Sequence, residues 1–234
     1  MRIKVVASPR NIVIRLMAGV VFFTVISTGI QVCRYVLDYR DEWMDWFNLD
    51  RELNFPTWYS ALMIAFCSLL LKLIATGKKQ QGDRYTRDWL LLSRIFCLMA
   101  IDEVASLHEI LIVPEVSEAL NLPWFLHSAW VIPGIVFVVW FTQRFSKFVR
   151  HLVPKSRYHF LLAACTYIGG ALIMEMVGSH FAESIGQQHI IYALIATLEE
   201  FLEMTGIVMF VYALLTYLHQ WTPQFDLNFQ IEKL

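Results

Sequence analysis

The sequence predicts an all-α fold: a polytopic membrane helix bundle of six transmembrane helices with both termini in the cytoplasm. Three observations predict it. Hydrophobic residues make up 57% of the 234-residue chain and charged residues only 17%, whereas soluble globular domains carry about a quarter charged residues. The apolar residues gather into runs of roughly the twenty residues that a helix needs to cross a hydrocarbon core of about 30 Å. Fifteen of the nineteen Lys and Arg residues also fall in alternate connections, which places those connections on the cytoplasmic side.

The first span, residues 12–35, follows Arg2, Lys4 and Arg10. It is longer than a signal-peptide core and lacks a small-x-small cleavage site, so it is read as a retained helix. Residues 38–56 are acidic and carry Trp43, Trp46, Phe47 and Phe55. Such rings suit the headgroup layer, so an interfacial segment is expected there in preference to a lid. The second span covers 57–75, and Lys72, Lys78, Lys79, Arg84 and Arg87 mark the connection after it as inner. The third and fourth spans cover 89–113 and 123–141, and Arg144, Lys147, Arg150, Lys155 and Arg157 again mark an inner connection. The fifth and sixth cover 159–180 and 190–218. Residues 1–234 thus form a single integral membrane domain. Spanning strands are excluded because the runs lack the alternation of barrel strands. Cys33, Cys67, Cys97 and Cys165 lie in apolar segments without CxxC spacing and read as packing residues. A net charge of −1 gives no pull toward nucleic acid, so the expected surroundings are the lipid bilayer.

Carboxylates inside spans carry the functional information, because each costs about 2.5 to 3.5 kcal/mol even on insertion scales. The third span contains Asp102, Glu103, His108 and Glu109; the fifth contains Glu175 and His180, with Glu183 at its end; the sixth contains Glu199, Glu200 and Glu203. With the inferred topology, all three sets lie between mid-membrane and the outer face. At about 100° per residue, Asp102, Ser106 and Glu109 share one stripe, Glu175, Ser179 and Glu183 a second, and Tyr192, Glu199, Glu203 and Gly206 a third. Three polar faces meeting around a cavity explain this better than contact with lipid. Carboxylate with imidazole is the ligand set of zinc, iron or manganese. The expected metal ligands are Glu103, His108, Glu109, Glu175, His180, Glu199 and Glu203, with Asp102 or Glu200 left as a general base. The Glu-x-x-His spacing of soluble di-iron bundles is absent. The opposing reading is a set of protonated acids that bond helices together. His127 reads as a packing residue, and Glu183 and His189 as wetted loop or helix-end residues.

The stretches Ile101-Asp-Glu-Val-Ala-Ser-Leu-His-Glu109 and Leu198-Glu-Glu-Phe-Leu-Glu-Met-Thr-Gly206 resemble uncharacterised bacterial multi-pass membrane proteins with the same two acidic helices. That resemblance covers most of the chain. It implies a bacterial inner (cytoplasmic) membrane location and no particular activity, and the charge-derived topology then puts the acids in the periplasmic half. The chain also invites comparison with the alkaline ceramidase type of intramembrane zinc hydrolase, but it lacks that type's seventh span and late His-x3-His pair. Three functions follow as expectations. The first is a metal-dependent membrane enzyme, hydrolase or oxidoreductase, acting on a lipid-like substrate. The others are a cation- or proton-coupled transporter and an accessory subunit of a membrane complex.

Overall fold

The computed structural model describes residues 8–107 and 130–221. Among them the chain is all helical, without strands. Helix α1 spans Pro9–Tyr35, α2 Phe55–Gln80, α3 Thr86–Ala105, α4 Val131–His151, α5 Pro154–Ile168, α6 Glu175–Ile185 and α7 Ile190–Trp221. A short 3-10 helix, Glu42–Phe47, lies in the first connection, within the segment expected at the interface. Helices α5 and α6 run on as one rod through a π-helical turn at Gly169–Met174.

Local chemistry sets the ends of these rods. Proline stands in the first turn of α1, α2 and α5, where its missing N–H leaves no bond unmade. Asn54 caps α2, its side-chain oxygen accepting from the Thr57 N–H at 3.1 Å. Gly186, at φ +83°, stops α6 in a conformation that side chains rarely adopt.

Four helices among the described residues are long and apolar enough to cross a membrane, rather than the six expected. They are Pro9–Tyr35, Phe55–Gln80, Pro154–Ile185 and Ile190–Gln220. Helix α3 falls short because its twenty residues include Arg87, Asp88, Arg94, Asp102 and Glu103. Helix α4 falls short because its last third, from Gln143, is polar, and the expected start of that span at 123–129 lies outside the described residues. The third span was expected to reach residue 113, yet α3 ends at Ala105, with Ser106 in the left-handed region at φ +47°.

Helix α7 is the hub. It packs against α1, α2, α5 and α6, and its buried Met204, Ile207, Val208, Val211 and Leu214 join Val20, Leu71, Ile74 and Trp89 in one core. Trp89 is 1% exposed and meets Phe148, Phe160 and Tyr217 at ring-centroid distances of 4.8, 6.0 and 4.9 Å. Close approach of α7 to the α5–α6 rod depends on two glycines. A Cβ at Gly206 would stand 2.7 Å from the Tyr167 nitrogen, and one at Gly170 would stand 2.8 Å from the Glu199 carbonyl oxygen. Small residues at a crossing let helix backbones approach inside a membrane, where van der Waals packing drives association.

Candidate functional site

These two glycine contacts bracket a group of acids. Glu199, Glu200 and Glu203 line the turn of α7 that Gly170 and Gly206 clasp. The Tyr167 hydroxyl on α5 is within hydrogen-bonding reach of the Glu203 carboxylate, and Glu199 stands in the same relation to Glu175 on α6. Glu103 of α3 shares the electrostatic field of Glu200, Glu203 and Tyr167. Stacking of Phe96 on Phe210, centroids 4.8 Å apart, fixes α3 beside α7 one or two turns below. Three acidic helices therefore converge, and Glu103, Glu175, Glu199, Glu200 and Glu203 are each half-buried.

The π-helical turn has a direct consequence here. It puts extra residues into the rod just before Glu175, turning that residue away from the phase an unbroken α-helix would give it. Such turns recur at functional sites because they re-aim a side chain without breaking the helix.

The expected residues fare differently. Glu103, Glu175, Glu199, Glu200 and Glu203 are brought together; Asp102 is partly buried one position before Glu103. His180 is exposed, its ring edge-on to Phe181 at 5.6 Å. Glu183 is exposed as well. His108, Glu109 and His127 lie outside the described residues. Because the helix stops at Ala105, the expected stripe of Asp102, Ser106 and Glu109 is broken at its second member. Among the described residues no group of three or more His, Cys, Asp and Glu side chains is arranged to hold a metal ion, and His108 and Glu109 of the expected ligand set lie outside those residues.

Three contributors were not anticipated. Tyr167 is one, signalled only by its place just before the Gly169-Gly170 pair. The others are Asp50 and Glu52 of the first connection, which share the field of Glu200. The Glu52 carboxylate accepts from the Ser106 hydroxyl at 3.2 Å and from the Thr57 hydroxyl at 3.5 Å. Sequence marked that connection as acidic and aromatic, but nothing local said that it folds back onto α3.

The chain belongs to a family described as a domain of unknown function (DUF8692), whose model matches residues 13–218. No curated protein and no solved structure matches the chain.

Proposed function

We propose that this member of the DUF8692 family is a membrane enzyme whose carboxylate cluster holds a divalent cation and acts on a lipid-like substrate. One observation carries the reading: Glu103, Glu200 and Glu203 come from two helices into one electrostatic field inside a bundle built to cross a membrane. Ion pairs among the described residues join Arg34 and Arg51 to Asp45, Lys78 to Asp83 and Arg144 to Asp88, and none of these pairs includes an acid of α7. A bound cation offsets both the mutual repulsion and the desolvation of such acids.

The donors brought together among the described residues are carboxylate oxygens, with the Tyr167 hydroxyl beside them. Oxygen-rich sets favour manganese or iron over zinc. Glu103, Glu200 and Glu203 turn toward a common point in this reading. Asp102, or whichever of Glu199 and Glu200 stays outside the coordination shell, serves as general base toward a bound water. The site lies in the periplasmic half of a bacterial cytoplasmic membrane, with both termini inside, as the distribution of Lys and Arg supports.

Proton- or cation-coupled transport is the second reading. It is favoured by the Tyr167–Glu203 contact, an O–H beside a carboxylate of the kind that relays protons.

Elemental analysis of detergent-purified protein decides between them, with wild type beside a Glu103→Gln/Glu203→Gln variant. Near-stoichiometric manganese, iron or zinc in wild type, lost in the variant, is the expected result. Metal-free wild type after loading with each of the three ions would overturn the enzyme reading and leave proton-coupled flux in vesicles as the next assay.

A further inference from the structure

The connection between α1 and α2 is built more firmly than an interfacial anchor needs. Asn48 is completely buried, as are Ser27 and Gln31 of α1. The Asn48 side-chain oxygen accepts from the Gln31 Nε2 at 2.6 Å, from the Ser27 hydroxyl at 3.4 Å and from the Asp50 N–H at 3.1 Å. The Ser27 hydroxyl in turn accepts from the Leu49 N–H at 3.0 Å. From the other end, the Asn54 Nδ2 donates to the carbonyls of Asn48 and Arg51 at 2.6 and 2.7 Å. Met44 and Leu49 are buried beside this knot. Residues 48–54 are thus tied to α1 at one end and to the first turn of α2 at the other.

Backbone strain collects at the same place. Asp38, Leu53 and Ser106 are the non-glycine residues at positive φ among the described residues. Asp38 opens the connection, Leu53 ends the tied stretch, and Ser106 is the residue of α3 that Glu52 grips. Strained non-glycine residues persist only where their surroundings over-determine them, and they gather at clamps and switches. The tied stretch also carries Asp50 and Glu52 into the field of Glu200, and Glu52 into that of Glu203.

We propose that residues 48–54 form a strap that closes the carboxylate cluster off from the aqueous phase, with the Asn48 knot as its fixed end and the Glu52–Ser106 contact as its latch. The strap, rather than any movement of the spanning helices, sets how often polar solutes reach Glu200. The Ser106 hydroxyl lies three residues beyond Glu103, so the latch also fixes the end of α3 on which Glu103 stands. This inference concerns access to the cluster and holds whether the occupant is a metal or a proton.

The test is thiol accessibility in detergent-purified protein kept in chelator. Cys33, Cys67, Cys97 and Cys165 are replaced by Ala, and Glu200→Cys or the exposed Glu183→Cys serves as the only thiol. A charged methanethiosulfonate reagent is the probe. With the strap intact, the Glu200→Cys thiol reacts far more slowly than the Glu183→Cys thiol. Adding Asn48→Ala speeds its reaction by about tenfold or more, as the loss of several bonds to buried groups shifts a local opening equilibrium. Adding Glu52→Gln, which keeps the side-chain shape, speeds it several-fold and covers the case in which Asn48→Ala does not fold. The Glu183→Cys rate stays constant throughout. Equal rates at the two positions in the intact protein, or a Glu200→Cys rate that neither strap variant moves, would overturn the strap. Because chelator is present throughout, that failure is separate from failure of the metal reading.

Discussion

The two ends of the bundle solve opposite problems with the same helices. At the end rich in Lys and Arg, charge is paired and aromatic rings fill the space. Asp88 meets Arg144, Lys78 meets Asp83, and Trp89 sits among Phe148, Phe160 and Tyr217. At the other end α3, α6 and α7 bring acids together, and the nearest connection adds two more. One end is organised for stability; the other gathers like charges that packing alone would disperse. Groups that cost stability and persist mark function, and the proposed site is placed at the acidic end for that reason.

Substitutions should therefore move stability in opposite directions at the two ends, and the largest effect belongs to the aromatic end. Trp89→Ala empties the centre of that cluster and is expected to cost about 3 to 5 kcal/mol. Unfolding in mixed micelles, with increasing denaturing detergent, measures it. A loss under 1 kcal/mol would mean that the aromatic end is not the stabilising one. Gly206→Ala comes next. Its methyl group would press on the Tyr167 backbone at the crossing of α5 and α7, an overpacking worth about 1 to 3 kcal/mol. It also pushes Tyr167 from Glu203, so metal content or flux falls with stability, whereas Trp89→Ala affects stability alone.

How far these features were legible in the sequence differs between the ends too. Periodicity and the Lys and Arg pattern were enough to foresee an all-helical membrane chain and the acidic turns of α3 and α7, because each depends on residues close in sequence. The end of α3 was not legible. Nothing between Asp102 and Leu107 is glycine or proline, and Ser106 takes its left-handed backbone where Glu52, 54 residues away, holds its hydroxyl. The π turn was half legible, since Gly169-Gly170 is a break signal inside an apolar run, yet uniform helical phase was assumed across it. The fold-back of Asp50 and Glu52 depends on Asn48 finding Gln31 and Ser27, a long-range match between polar side chains that periodicity does not encode.

Glu203→Gln sharpens the contrast from the acidic side. It removes a carboxylate from a group of like charges while keeping the hydrogen bond to Tyr167 within reach. The variant is expected to be more stable than wild type by about 1 kcal/mol while losing the site's function, the usual exchange where a site holds unfavourable groups for use. The same unfolding assay in chelator reads it. A destabilised Glu203→Gln would mean that the acids are structural, bonding the helices to one another, and would remove the distinction between the ends.

The smallest expected effect lies where the two ends join. Ser68 of α2 and Ser93 of α3 exchange bonds: the Ser68 hydroxyl donates to the Ser93 carbonyl at 2.7 Å, and the Ser93 hydroxyl donates to the Ser68 carbonyl at 2.9 Å. Interhelical hydrogen bonds of this kind are worth about 0.6 kcal/mol each inside a membrane. Ser68→Ala and Ser93→Ala should therefore each cost about that much, and the double variant about twice as much, since each hydroxyl serves the other residue's backbone rather than its side chain. The two hydroxyl oxygens are nevertheless 3.4 Å apart, so part of the effect is shared. A double-mutant cycle separates the cases. Near-additive losses mean two independent staples that hold α2 to α3 across the boundary, so that a disturbance at the aromatic end need not travel to Glu103. A large coupling means one switchable unit, through which the two ends would respond together.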